Sequence, residues 1–281
     1  MHELMNGETR VIFIVGDPIT HVKSPAGVTE LFSRRQHNAI VVPAHVDPDN
    51  LTPWMNGISR AKNVDGIIIA VPHKFACFEL CRSTSTRSNF LSSVNAMRRN
   101  PDGSWHGDVL DGDAFVQTLQ SKGHAVRNQR ALLVGCGAMG TAVGYALIKA
   151  GIAELGIHDV DTPQRDALVH RLSSLHHGAV RAASRNPSGF DLIVDATPVT
   201  TQTDASVPVD TARLHPGMVV CCTKSPPEIT PLIEAAQHHG CATVTGTEIF
   251  QSARELLVEF LLDTSPPDEY ASRPARLAPV A

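Results

Sequence analysis

Gly135-Cys136-Gly137-Ala138-Met139-Gly140 lies directly after the apolar run Ala131-Leu132-Leu133-Val134 and directly before a helical stretch. This G-x-G-x-x-G spacing suits a dinucleotide. The first glycine permits a tight turn, the second lets a pyrophosphate approach the backbone, and the third lets helix and strand pack closely. Ala138, Met139 and Gly140 then open a helix whose first N–H groups can donate to phosphate. Asp159 follows nineteen residues beyond Gly140, at the end of the next strand-like run, Glu154–His158. A carboxylate there accepts hydrogen bonds from a free ribose 2′-OH and repels a 2′-phosphate, which points to NAD rather than NADP. No arginine stands beside it in His158-Asp159-Val160-Asp161. Asp159 or Asp161 also suits the N-cap of a helix beginning near Pro163.

Other chemistries find less support. The chain has 14 histidines, but the doublets His176-His177 and His238-His239 point different ways on a helix, whereas helical metal ligands sit three or four residues apart. No metal is expected. The six cysteines show no CxxC or zinc spacing and read as buried thiols.

The elements that position these residues follow from periodicity. Val11–Val15, a helix from about Pro25 to Arg35, Ala39–Ala44, a helix near Asp49–Arg60 and Gly66–Val71 make a βαβαβ pattern. Ser24-Pro25 and Val71-Pro72 place proline just inside predicted helix starts. Asn100-Pro101-Asp102-Gly103 predicts a hairpin between Val94–Arg98 and Ser104–Gly107, after which Asp111-Gly112 opens a helix to about Ser121. From Arg130 the alternation resumes: strand, glycine turn, helix to Lys149, Glu154–His158, helix Pro163–Leu175, Phe190–Asp195, Met218–Cys222, helix Pro231–His239, Ala242–Val244 and a helix from about Glu248 to Leu262. The expected fold is α/β: an N-terminal α/β substrate domain plus a doubly wound parallel-sheet (Rossmann) NAD-binding domain. Its boundaries are residues 1–111 for the first, 112–246 for the second, 247–265 for a C-terminal helix returning to the first, and 266–281 for a loose tail.

With 281 residues, 42% hydrophobic and 19% charged, the chain can bury the cores of two modest domains. A net charge of −4 with scattered basic residues leaves no footprint for nucleic acid or an anionic membrane, so small molecules are the expected partners. Ala131–Ile148 is uncharged throughout, yet its four glycines fit a strand, a phosphate turn and a helix better than a membrane span. The N-terminus lacks the basic flank and long apolar core of a signal peptide, and the expected location is cytoplasmic.

Several further landmarks follow in order: Gly16-Asp17-Pro18-Ile19-Thr20-His21-Val22-Lys23-Ser24-Pro25, Val71-Pro72-His73-Lys74, Val94-Asn95, Asp111-Gly112, Asp195-Ala196-Thr197-Pro198 and Thr230-Pro231-Leu232. In that order they resemble the G-x-P-I-x-H-S-x-S-P, V-P-x-K, A-V-N-T, N-T-D-G, N-A-T-P and T-P-L segments of the shikimate/quinate dehydrogenase family. The resemblance implies reversible hydride transfer between a nicotinamide and a ring carbon bearing a hydroxyl or carbonyl. It makes Lys74 and Asp111 the catalytic pair, Ser24 the carboxylate binder and Asn95 a hydroxyl binder. Thr197 and Gly246 would border the cofactor, and the late glutamine of the family falls on Gln251 with a gap or on Ala253 without one. On residue type alone, Lys74 is also an ordinary first-turn lysine, and Asp111 and Ser24 ordinary caps.

The departures are as specific as the matches. Val22, Ile68, Ala70, Val109 and Leu110 stand where the family pattern has Ser, Asn, Thr, Asn and Thr, and Ser225 where it has Tyr. Read as a pocket wall, these changes favour a less polar ring or weak binding of shikimate. His21, His73 and Lys23 are possible replacement donors. The expected protein is therefore an NAD-dependent dehydrogenase, monomer or homodimer, acting on shikimate, quinate or a related cyclic hydroxy acid in a cleft between its domains. The alternatives are an aminoshikimate-like or less polar substrate, or a non-catalytic NAD sensor on the same fold.

Overall fold

The computed structural model describes residues 5–20, 22, 24–198, 207–224 and 229–265. Its contacts divide the chain into two compact units: residues up to Leu110 together with those from Arg254 onward, and residues Asp111–Ala253. Each is an α/β unit, the fold class expected from the sequence.

In the first unit the elements run β1 (Arg10–Gly16), α1 (Ser24–Arg34), β2 (Ala39–His45), α2 (Leu51–Ile58), β3 (Val64–Ile69), α3 (Lys74–Leu80), β4 (Ser83–Thr84), α4 (Thr86–Leu91), β5 (Ala96–Arg99) and β6 (Trp105–Asp108). The sheet order is β2-β1-β3-β5-β6-β4. β1 pairs parallel with β2 and β3, whereas β3–β5 and β5–β6 are antiparallel. Period-two alternation sends side chains to both faces. Ile12, Ile14 and Ile68 join a cluster with Val28 and Phe32 of α1, while Val15, Ile67 and Ile69 join Leu51, Met55 and Phe78. The predicted hairpin closes through Asn100 N–H to the Ser104 carbonyl at 2.8 Å.

The second unit contains α5 (Asp111–Ser121), β7 (Arg130–Val134), α6 (Ala138–Lys149), β8 (Glu154–His158), α7 (Thr162–Ser173), β9 (Ala179–Ala182), β10 (Leu192–Asp195), β11 (Val219–Cys222), α8 (Pro231–His238), β12 (Ala242–Val244) and the start of α9 (Gly246–Leu262). All its strands are parallel in the order β12-β11-β10-β7-β8-β9, so the order reverses between β7 and β10. This is the doubly wound arrangement, whose ligands bind outside the carboxyl ends of the strands at that reversal. Ala131–Ile148 is accordingly β7, a turn and α6, and among the described residues no helix is long and apolar enough to cross a membrane.

The division between units falls within α9. Its later residues Leu257, Val258 and Leu261 enter the first unit's core, and a Cβ on Gly66 would meet the Leu261 side chain at 2.3 Å.

Some details differ from the sequence reading. Pro72 does not open a helix: it lies in a turn after a cis Val71–Pro72 bond, and α3 begins at Lys74. β4, α4 and β9 are too short to show a period, and α4 is marked by its cap, Ser85, which accepts from Ser88 N–H. Residues 266–281, read as a loose tail, lie outside the described residues.

Candidate functional site

The glycine turn follows β7 at the point where the strand order reverses. Gly135 has φ +102°, and its N–H donates to the His158 carbonyl at 2.9 Å. A Cβ at Gly135 would lie 2.7 Å from the backbone of Ala196 and Thr197, which follow β10; one at Gly140 would lie 1.9 Å from the Gly135 carbonyl oxygen. Gly137 differs, because a Cβ there would meet nothing within 4 Å. It is the N-cap of α6 and supplies no side-chain acceptor, leaving open space over the helix start formed by Ala138, Met139 and Gly140. The first and third glycines are thus required by the protein's own packing, whereas the second keeps room for an approaching group. Such a cradle of helix-start donors fits a dinucleotide pyrophosphate.

Asp159 closes the turn from the side. Its Oδ2 accepts from Cys136 N–H at 2.6 Å and its Oδ1 from Asp161 N–H at 2.9 Å. The helix cap is Asp161, whose Oδ1 accepts from Gln164 N–H at 3.0 Å, so capping does not explain Asp159. An ionised carboxylate has about four lone-pair sites, and two backbone bonds leave capacity for a ribose hydroxyl. Burial, reinforced by the Asp159 charge, pushes the Cys136 thiol up to about 12, so it stays protonated near neutrality.

Thr197 donates from N–H at 2.9 Å and from Oγ1 at 2.6 Å to Asp195 Oδ1. Gly246 opens α9 under a packing constraint, since a Cβ there would meet the Lys224 carbonyl oxygen at 2.1 Å. The same helix end carries a capping box in which Glu248 accepts from Thr245 N–H at 2.8 Å. Gln251 lies exposed on the helix.

In the first unit, Lys74 is the first residue of α3 and is half-buried. Its carbonyl accepts from Val94 N–H at 3.1 Å, while buried His73 is tied through Nε2 to the Val46 carbonyl at 2.7 Å. His73 is therefore committed to holding the turn. Val71 and Phe75, either side of the lysine, are 66% and 54% exposed. Asn95 is buried, and its Oδ1 accepts from Leu110 N–H at 2.9 Å. Asp108 Oδ1 accepts from Val109 N–H at 2.7 Å and from Arg87 Nε at 2.8 Å. Both contacts fix the chain just ahead of Asp111, the first residue of α5. Ser24 is the buried first residue of α1.

The reading of the apolar replacements as a pocket wall needs correction. Ile68 and Leu110 are 5% and 4% exposed, in one cluster with Ile14, Phe32 and Leu257, because strand alternation turns Ile68 to that face. They are core residues. Val109 is also buried, and Val22 packs partly buried against the same cluster, which leaves Ala70, half-buried after β3, as the simplest loss of a polar group. His21, Lys23 and Ser225 lie outside the described residues.

The structure thus brings Gly135, Gly137, Gly140, Asp159 and Thr197 together in the second unit, and links Lys74 to Asn95 through Val94 in the first. Lys74 and Asp111 fall in different units. Sequence reasoning missed the buried carboxylate of Asp195 and its partner Lys224, at 3.0 Å. The signal was available in Asp195, which replaces the asparagine of N-A-T-P. Among the described residues no group of three His, Cys, Asp or Glu side chains could hold a metal ion.

A family model described as the shikimate dehydrogenase substrate binding domain matches residues 14–97. Over 251 residues, 86% of this chain and 87% of the relative, the sequence is 29% identical to a shikimate dehydrogenase (NADP(+)) of Rubrobacter xylanophilus. The chain belongs to the shikimate/quinate dehydrogenase family. Solved structures agree on the fold. A shikimate dehydrogenase in complex with NADP+ superposes with a TM-score of 0.85 at 22% identity, covering 92% of this chain and 91% of that one. A quinate dehydrogenase from Corynebacterium glutamicum in complex with NAD gives 0.81 at 20% identity, with 90% and 94% covered.

Proposed function

We propose that this family member is an NAD-dependent dehydrogenase that reversibly transfers hydride between nicotinamide and a ring hydroxyl or carbonyl of shikimate, quinate or a related cyclic hydroxy acid. The observation that carries the reading is the open cradle at Gly137 beside Asp159 at the strand reversal. Gly137 to Gly140 would hold the pyrophosphate and Asp159 the ribose, with Thr197 and Gly246 bordering the group. When bound, the nicotinamide supplies the hydride acceptor or donor. NAD is favoured because an anionic carboxylate opposes a 2′-phosphate and residues 158–161 contain no arginine, although the relative named above is an NADP(+) enzyme.

Lys74 gives or takes the proton at the reacting oxygen, and its ammonium stabilises developing alkoxide charge. Asp111 accepts from a neighbouring hydroxyl of the substrate. Asn95 orients a further hydroxyl, while Ser24 and Gln251 bind the acid. Ala70 in place of the family threonine, with exposed Val71 and Phe75 flanking Lys74, favours a second reading in which the ring is less polar than shikimate. The six buried free thiols suit a reducing compartment such as the cytoplasm.

Absorbance at 340 nm with NAD and NADP against shikimate, quinate and less hydroxylated cyclic acids and alcohols tests both readings. Turnover with NAD and at least one cyclic acid is expected. Absence of turnover with every substrate and either dinucleotide would remove the proposed activity.

A further inference from the structure

Asp195 ends β10 and is almost completely buried, with 1% of its side chain exposed. Its Oδ1 accepts both Thr197 bonds, and its Oδ2 faces Lys224 Nζ at 3.0 Å, with the Cys222 thiol at 3.6 Å. Lys224 follows β11 and is 19% exposed. A buried carboxylate needs a counter-charge as well as hydrogen bonds, and Lys224 supplies it. Thr197 N is also one of the backbone atoms that a Cβ on Gly135 would strike, so the loop after β10 lies directly against the glycine turn. Contacts therefore run from Lys224 through Asp195 and Thr197 to Gly135, all at the carboxyl ends of the strands.

We propose that Asp195 and Lys224 are positioning residues for dinucleotide binding: the ion pair sets the Ala196–Pro198 loop against the glycine turn and so shapes the crevice floor. The family pattern has asparagine at 195, so the charge on Asp195 is a departure in this chain, and Lys224 is the cation that faces it. The inference rests on the proposed dinucleotide function.

NADH fluorescence titration of the wild type, Lys224→Met, Asp195→Asn and the double variant tests it, alongside the melting temperature of each apo protein. Lys224→Met leaves the buried Asp195 carboxylate unopposed and Asp195→Asn leaves Lys224 without its anion, and each should weaken NADH binding by about ten-fold, the scale of coupling within one contact network. The double variant should bind more tightly than either single one. In turnover assays KM for NAD should rise while KM for the cyclic acid stays unchanged, a split that mere loss of folded protein does not produce. If Asp195→Asn does not fold, Lys224→Met decides alone. Wild type that binds NADH while Lys224→Met binds it equally tightly overturns the inference and spares the proposed function. Wild type that binds neither dinucleotide overturns both.

Discussion

In the second unit a Cβ at Gly140 would lie 1.9 Å from the carbonyl oxygen of Gly135, five positions earlier in the same turn, whereas in the first unit Asn95 is fixed by a residue 15 positions away and His73, next to Lys74, by one 27 positions away. Gly140 is thus held by local backbone sterics, which admit few substitutions. Asn95 and His73 are held by longer-range contacts, and the residues around them can change while the scaffold persists. Ala70 illustrates this, because it replaces a hydroxyl without disturbing β3 or the turn that leads to Lys74.

A pair of glycine substitutions gives the largest contrast. Gly140→Ala forces a side chain into backbone atoms and should cost about 1–3 kcal/mol or more in stability together with dinucleotide binding. Gly137→Ala has room, so its apo melting temperature should stay at the wild-type value while NADH affinity falls about ten-fold or more, the added methyl opposing the close backbone approach. Thermal melts and NADH titrations of both read this directly. An unchanged affinity in Gly137→Ala would show that the open space there holds no pyrophosphate.

Replacing Asp159 by serine sharpens the cofactor half of the comparison. Removing the carboxylate should shift the ratio of NADH to NADPH affinity towards NADPH by about ten-fold, one unit charge against a 2′-phosphate at effective short range. Competing titrations with the two dinucleotides measure it, and an unchanged ratio would confine Asp159 to its backbone bonds with Cys136 and Asp161.

The smallest effect compares the units through their thiols. Burial pushes Cys77 in the first unit, and burial with Asp159 pushes Cys136 in the second, from an ordinary value of 9.0 to about 12. The unfolded chain loses these protons first as pH rises. The stabilisation is therefore complete below pH 9 and is lost progressively towards pH 12. Urea midpoints across that range should fall with a shallower slope in Cys136→Ala than in wild type, and equal slopes would remove that thiol from the account.

What could be read from the residues follows the same divide. Apart from β9, the parallel strands of the second unit are short, mostly apolar runs, and the hairpin at Asn100 to Gly103 is written in turn residues, so both are legible from local pattern. β4 has two residues and α4 six, and both depend on tertiary pairing. At the site, the glycine spacing is legible because the turn and the packing of Gly140 on Gly135 lie within one sequence window. The contact of Asp159 with Cys136 spans 23 positions and the Asp195–Cys222 contact spans 27, so neither shows in a sequence window. Ile68 and Leu110 were misread as pocket wall because the family pattern gives residue types and not the face each occupies; their burial came only with the cluster around Phe32.

The steady-state kcat of Lys74→Ala with NAD and the best cyclic acid tests most directly whether Lys74 carries the proposed proton transfer. The account predicts a fall of about 10²- to 10⁴-fold, the usual contribution of a positioned acid–base group. Retention of most of the wild-type kcat would contradict it.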